Sequence, residues 1–534
     1  MAVSRPPLTA AANVEHSYVE SIDPVTGEAF ARFEVAQPAA ICAMMARARA
    51  VQPDWARLPM IGRCRAVRRL RDALFHSREE IIGVITRETG KPRVEAIFAE
   101  IVLALDTADY FIRHAQRWLR RQRVPHRNIT LKAKAGWIEC EPVGVVAILS
   151  PWNYPLAIPM AELIPALLAG NSVVLKPSEL TPWIGSMIGE LCIRAGLPEG
   201  LVQIVQGDAT AGAALVEAGP DKVFFTGSVE TGRKIAAACA GRIIPSVLEL
   251  GGKDPMLVFA DADLEVASSA AVWGSFMNCG QACLSVERVY VEQSIAARFT
   301  ELCVAKAKKL RVGPPSDLES DIGPLIRPRQ LERVERQLRD AVERGAKILV
   351  GGGRRPELGP TFLDPAVVTD VDESMDLMRE ETFGPVLAIR AVASADEAVK
   401  FANESPFALS ASIWTRDIVR AREVASQLRA GAVMINDVAS YYGIVEAPHG
   451  GRGASGWGRT HSRFGFMEMV HAKYVDVDRL TGRFNAWWFG YTAGLATAAD
   501  RLTQLLFAPG WKQRGTALKD IRAWRALLSR RNRI

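Results

Sequence analysis

The stretch VGVVAILSPWNYPLAIPMAELIPALLAGNSVVLK, residues 143–176, holds the alternation that decides the fold. Two short apolar, β-branched runs, 143–149 and 172–175, flank an apolar segment at 157–169 that suits a helix and is too long for one strand. The pattern then repeats: 181–195 reads as a helix, 202–205 as a strand, 210–218 as a helix and 222–225 as a strand. Strands and helices at this spacing predict an α/β fold with a Rossmann-like parallel sheet covered on both faces. Such sheets bind ligands at the carboxyl ends of their strands.

Outward from this core, residues 38–123 are mostly helical in pattern, and 128–141 (NITLKAKAGWIECE) alternates and reads as a hairpin. A second strand-and-helix series runs from about 254 to 445, with strands expected at 256–259, 286–292, 347–350, 386–391 and 433–436. It predicts a second α/β domain, as expected for 534 residues, too many for one ordinary core. No internal repeat is visible.

Hydrophobic residues make up 49% and charged residues 23%, the composition of a folded chain. The net charge of +7 is unevenly placed. Residues 479–534 hold eleven Lys and Arg against two Asp, a balance of +9, so the preceding 478 residues carry −2. A near-neutral body gives no argument for nucleic-acid binding. The eight cysteines are scattered without a CxxC pair, and the C-x3-C of Cys279 and Cys283 has no histidine nearby. No metal site is expected, and a reduced cytoplasmic compartment is. Arg5, Pro6 and Pro7 stand where an apolar signal segment would lie, so no secretory signal is expected.

Several segments carry candidate chemistry. Glu249-Leu250-Gly251-Gly252-Lys253 follows an apolar run; a carboxylate at a strand end before two glycines can approach a ligand closely, although a turn with a surface glutamate has the same look. Thirty-four residues after Glu249 stands Cys283, in a Gly-rich turn before a strand, a setting for a nucleophile or for a small core residue. Cys279 lies four positions earlier, and local sequence does not choose between them. Pro151-Trp152-Asn153 follows the first strand; its asparagine amide suits an oxyanion. Lys176, Ser178 and Glu179 follow the second, where a lysine and a carboxylate suit ribose hydroxyls. Gly227, Ser228 and Gly232 lie between a strand and a helix, where backbone N–H groups suit a pyrophosphate. Arg233 replaces the lysine a P-loop requires. Residues 451–456 match GxGxxG, but no buried strand precedes them and no helix pattern follows, so they read as a loop.

In order and spacing these segments resemble the aldehyde dehydrogenase family over about residues 20–478, together with Glu381-Thr382-Phe383-Gly384-Pro385-Val386 and Ser455-Gly456-Trp457-Gly458-Arg459. The resemblance implies a cofactor-binding domain at 20–127 and 142–250, a catalytic domain at 251–450, and a small β extension for oligomerisation at 128–141 and 465–478. It implies that Cys283 is the nucleophile, Glu249 the general base, and Asn153 an oxyanion donor with the Cys283 backbone N–H. Lys176 and Glu179 would then meet the adenosine ribose, Gly227, Ser228 and Gly232 the pyrophosphate, Glu381 the nicotinamide ribose and Phe383 the nicotinamide, with Pro151, Trp152, Ser178, Gly207 and Leu250 also in the implied cofactor-binding set. The implied cofactor is NAD, favoured because Glu179 repels a 2′-phosphate, with NADP left open by Lys176. The implied partners are a small-molecule aldehyde and further copies in a homodimer or homotetramer. Residues 403–410 and the segment Pro448-His449-Gly450-Gly451 depart from the family pattern, which leaves the aldehyde open: lipophilic, succinic semialdehyde or another semialdehyde. A catalytically silent scaffold is the reading from another class.

Residues 479–534 lie beyond the resemblance. The uncharged run 484–499 is shorter than the ~20 residues of a spanning helix. Residues 518–528 set Leu518, Ile521, Trp524 and Leu528 on one helical stripe amid basic residues. This suits a peripheral contact with the cytoplasmic face of an anionic membrane, or packing of the tail on the protein itself.

Overall fold

A computed structural model describes residues 17–128, 131–480 and 488–528. The described residues form two compact units: one of 17–118 and 141–471, the other of 119–128, 131–140, 472–480 and 488–528.

The first unit contains two large sheets. In the first, Val145–Leu149 lies centrally, paired in parallel with Ser172–Lys176 on one side and Lys222–Thr226 on the other. Val202–Ile204 and Ser246–Glu249 extend it, and Gly456–Trp457 closes one edge as its antiparallel member. Every residue of Val145–Leu149 is buried, which is why the run is apolar throughout rather than alternating. Helix Ala157–Ala169 is buried at all thirteen positions and ends at Gly170 in the left-handed region (φ 101°). The second sheet has seven strands, with Asp254–Val258, Val286–Glu292 and Val386–Val392 in its interior. Its pairings are parallel except at the edge strand Lys347–Val350.

The helical N-terminal portion comprises Pro38–Arg57, Met60–His76, Arg78–Thr89 and Leu103–Trp118, the last continuing a π-helical turn at Ile97–Val102. The antiparallel pair Tyr18–Ile22 and Ala29–Glu34 had no sequence-based expectation.

Two expectations are corrected. Residues 128–141 are not a self-contained hairpin: Lys134–Pro142 is one strand of a three-stranded sheet, between Gln122–Val124 and Val470–Asp478. The alternation identified the strand but not its partners. The tail from 518 to 528 is not one helix. Trp511–Leu518 ends and Ile521–Leu528 begins across Lys519 and Asp520, because Asp520 accepts the Ala523 N–H and starts a new helix. Part of the uncharged run 484–499 lies outside the described residues; 488–492 are irregular, and 493–499 enter helix Ala493–Phe507. Among the described residues no helix is long and apolar enough to cross a membrane.

Candidate active site

The carboxyl ends of three strands of the first sheet deliver Pro151–Asn153, Thr226–Ser228 and Glu249–Gly251 to one cleft. Cys283, Arg327, Gln330, Arg333, Glu381 and Phe383 line its other side. Two glycines allow the walls to meet. A Cβ on Gly252 would fall 2.1 Å from the Cys283 carbonyl oxygen, so the strand end bearing Glu249 can touch the cysteine loop only with glycine there. A Cβ on Gly280 would fall 2.1 Å from the Gly384 carbonyl oxygen, which makes the same demand where that loop meets the Glu381 segment.

The turn before Cys283 is strained. Asn278 and Cys279 both adopt left-handed backbone, φ 50° and 56°, and are followed by Gly280 at 70°. Side chains hold it there. Asn278 Nδ2 donates to the Gln281 carbonyl (3.0 Å) and the Asn153 carbonyl (3.1 Å), and Gln281 Oε1 accepts the Ile326 N–H (2.9 Å). Cys279 is buried within the core, whereas Cys283 lines the cleft. Both thiols are held above their ordinary range by burial first; carboxylates at Asp254, Glu381 and Glu249 add to the effect at Cys283.

Asn153 Nδ2 donates to the Gln281 carbonyl at 3.1 Å. An amide nitrogen carries two hydrogens, so a second remains for an oxygen in the cleft. Behind it, Lys91 Nζ donates to the Asn153 carbonyl (2.9 Å) and to Glu100 Oε1 (2.7 Å). Glu100 Oε2 accepts the N–H groups of Leu156 and Ala157. Lys91 and Glu100 are completely buried, and the lysine also lies 4.0 Å from the Tyr154 ring centroid. Sequence reasoning missed this pair, because nothing local marks two charges nine residues apart as sharing a core.

Glu249 is buried, and neither carboxylate oxygen has a hydrogen-bond partner. Burial first, and then the charge of Glu162, hold its carboxyl well above the usual range. His449 Nε2 stands 3.7 Å from Glu249 Oε2, while His449 Nδ1 is 2.9 Å from the Tyr441 hydroxyl. Burial holds this imidazole neutral. His449 belongs to the segment that departs from the family pattern.

Glu381 accepts the Gly252 N–H at 3.0 Å, and burial raises its carboxyl to about 7. Buried Glu287 fixes the adjacent backbone by accepting from Thr382 N (2.7 Å) and Phe383 N (2.9 Å). Lys253 Nζ pairs with the same carboxylate at 2.5 Å. The Phe383 and Trp152 rings meet edge-on, centroids 5.4 Å apart.

Of the sequence-predicted residues, Pro151, Trp152, Asn153, Gly227, Ser228, Glu249, Leu250, Cys283, Glu381 and Phe383 share this cleft. Lys176, Ser178, Glu179, Gly207 and Gly232 are not part of its lining. Lys176 Nζ lies 3.6 Å from Glu179, whose charge also reaches Arg327 at the rim. Ser178 Oγ accepts the Leu180 N–H within its own turn. Gly207 (φ 145°) packs beside Ala211. Gly232 lies in the first turn of helix Val229–Gly241, where a Cβ would strike Leu250. Arg327, Gln330 and Arg333 were missed, since helix Pro328–Glu343 carries no motif. Among the described residues no cluster suited to a metal is present.

Comparison with known proteins bears on this geometry. A family model described as the aldehyde dehydrogenase family matches residues 11–475. A protein of Methylomonas sp. named 4,4'-diapolycopene aldehyde oxidase is 40% identical over 482 residues, covering 89% of this chain and 88% of that one. A protein of Mycobacterium tuberculosis, named "Putative succinate-semialdehyde dehydrogenase NADP(+) 2", is 37% identical over 477 residues, covering 89% and 91%. Among solved structures, an NAD+ complex of an aldehyde dehydrogenase from Bacillus cereus superposes with a TM-score of 0.83 at 33% identity, covering 86% and 93%. The chain therefore belongs to the aldehyde dehydrogenase family and has its α/β fold.

Proposed function

We propose that this aldehyde dehydrogenase oxidises a lipophilic aldehyde to its carboxylate with NAD(P)+, through a thiohemiacetal and then a thioester on Cys283. The observation that carries the reading is the shared cleft of Cys283, Asn153 and Glu249, with both oxygens of Glu249 open to a further partner. The Cys283 S–H bond breaks, its proton leaving through the cleft to solvent, and the sulfur bonds to the aldehyde carbon. The second Asn153 amide hydrogen and the Cys283 backbone N–H meet the developing oxyanion, contacts typically worth about 10²–10³ in rate each. Glu249 then takes a proton from the water that attacks the thioester, which releases the acid and frees the sulfur.

The residues fit a dinucleotide. Gly227 and the N-cap Ser228 present the start of helix Val229–Gly241, a setting for a pyrophosphate. Trp152 and Phe383 offer faces for a ring, Glu381 a carboxylate for ribose hydroxyls, and Lys176 with Glu179 a second ribose site. When bound, the nicotinamide accepts the hydride. Glu179 favours NAD over NADP, and the cations Lys176 and Arg327 near it reduce that preference.

Two features support a lipophilic substrate. One relative is named 4,4'-diapolycopene aldehyde oxidase. The tail exposes Phe489, Tyr491, Trp511 and Ile521 among Lys512, Arg514, Lys519, Arg522 and Arg525. Exposed aromatics with basic neighbours suit the cytoplasmic face of an anionic membrane, where such aldehydes partition. The edge strands of the three-stranded sheet offer a route to a homodimer or homotetramer by strand addition. A semialdehyde is the second reading, favoured by Arg327 and Arg333 in the cleft, though Arg333 already donates to the Glu381 carbonyl.

Two measurements test these readings. In an aldehyde panel of increasing chain length, kcat/KM is expected to rise with each added methylene while binding continues; about 0.8 kcal/mol per buried CH2 corresponds to roughly fourfold. A maximum at succinic semialdehyde would select the second reading. Full-length protein is expected to float with phosphatidylserine vesicles, and a chain ending at Asp478 to remain below. Equal flotation of the two removes the membrane role of the tail.

A further inference from the structure

Glu162 is the only ionisable residue in the fully buried helix Ala157–Ala169. An isolated carboxyl there does nothing for stability that an apolar side chain of equal size would not do better. Its Oε1 meets only the Thr226 hydroxyl, at 3.5 Å, and Oε2 has no partner. Glu249, whose two oxygens also lack partners, lines the same chamber, as do Cys283, Tyr442, His449 and Thr460. The space open there to the centre of a water molecule is about 20 Å³, more than the roughly 10–15 Å³ one water needs. Two incompletely partnered carboxyls thus face a chamber of water size beside the cleft sulfur.

We propose that Glu162 is the proton carrier for Glu249 in thioester hydrolysis, passing the proton of the attacking water to the Thr226 hydroxyl and the mouth of the cleft. This rests on the reading of Cys283 and Glu249 given above. As the water oxygen bonds to the thioester carbon, one O–H bond breaks and its proton goes to Glu249. The C–S bond then breaks with its electron pair going to Cys283, and the acid leaves. Glu249 must lose the proton before the next cycle. Glu162 takes it on one oxygen while releasing its own proton from the other, through Thr226, which lines both the chamber and the cleft. The other titratable groups facing the chamber are Cys283, Tyr442 and His449, and Arg459 lies close enough to act on Glu249. Tyr442 is held protonated and His449 neutral by burial, so neither competes for the proton. Burial raises the Glu162 carboxyl to about 8, so it is mostly protonated at neutral pH and poised to exchange.

The test is rapid-mixing measurement of NADH formation by wild type and Glu162→Gln with saturating NAD+ and aldehyde, from about pH 6 to 10. The variant is expected to keep the first-turnover NADH burst at wild-type rate and amplitude, while steady turnover falls about 10²-fold. Its turnover is also expected to lose the ionisation near 8. If Glu162→Gln does not fold, Glu162→Leu, which fills the same apolar space, is read in the same way. Unchanged steady turnover and pH profile overturn the proposal. Loss of the burst also overturns it, because the residue would then serve acylation. Absence of NADH from wild type with every aldehyde would instead overturn the underlying reading of function.

Discussion

Cys283→Ala is expected to lower aldehyde-dependent NADH formation by at least about 10⁴-fold, the scale on which loss of a covalent nucleophile is felt, while Cys279→Ala keeps most of the activity. The two sulfurs lie four residues apart and differ in what they can reach. Cys279 is 2% exposed and packed into the core of the second sheet. Its left-handed backbone serves the turn and presents nothing to the cleft. Cys283 lines the cleft beside Asn153 and Glu249. Alkylation identifies the same sulfur, since an iodoacetamide label that stops turnover should map to Cys283. If Cys279→Ala is inactive and Cys283→Ala active, the nucleophile has been assigned to the wrong residue.

Glu249→Gln is expected to separate the two halves of the reaction. The variant keeps the shape of the side chain and loses the base. It should release one equivalent of NADH per active site and then slow by about 10²–10⁴-fold, the usual contribution of a positioned general base. Intact-mass measurement after mixing should show the acyl group on the protein. The pH dependence follows from burial. Because the Glu249 carboxyl is held above its ordinary range, it is protonated and idle at low pH. Turnover limited by hydrolysis should therefore rise as pH rises through that elevated value, and the rise should be absent in Glu249→Gln. Loss of the burst would mean that Glu249 acts before the thioester forms. The comparison with Glu162→Gln is informative, since both variants should keep the burst while only the glutamate touching the water should show the larger loss.

Much of the scaffold was legible in advance. Helix Ala157–Ala169 and strands Val286–Glu292 and Lys347–Val350 have the expected boundaries, and the GxGxxG segment is a loop with only two-residue strands. The central strands of the first sheet differ from expectation by a residue or two at their ends. What failed were pairings and breaks. The strand Lys134–Pro142 takes its partners from 122–124 and from 470–478, a separation that alternation within 128–141 cannot encode. The tail breaks at Asp520 because one carboxylate caps a new helix, a local interaction that outweighs the apolar stripe.

The sequence by itself determined the order of strands and helices, because helix and strand periods are written in neighbouring residues, and it supplied the candidate residues for acyl chemistry. Only the tertiary structure decided which sulfur faces the cleft, that a buried lysine–glutamate pair supports Asn153, and that Glu162 and Glu249 border one chamber. Those relations join positions up to about 130 residues apart through backbone approaches at Gly252 and Gly280. Burial and unmet hydrogen bonds, which set the proton affinities on which the proposed chemistry depends, exist only once distant segments have packed together.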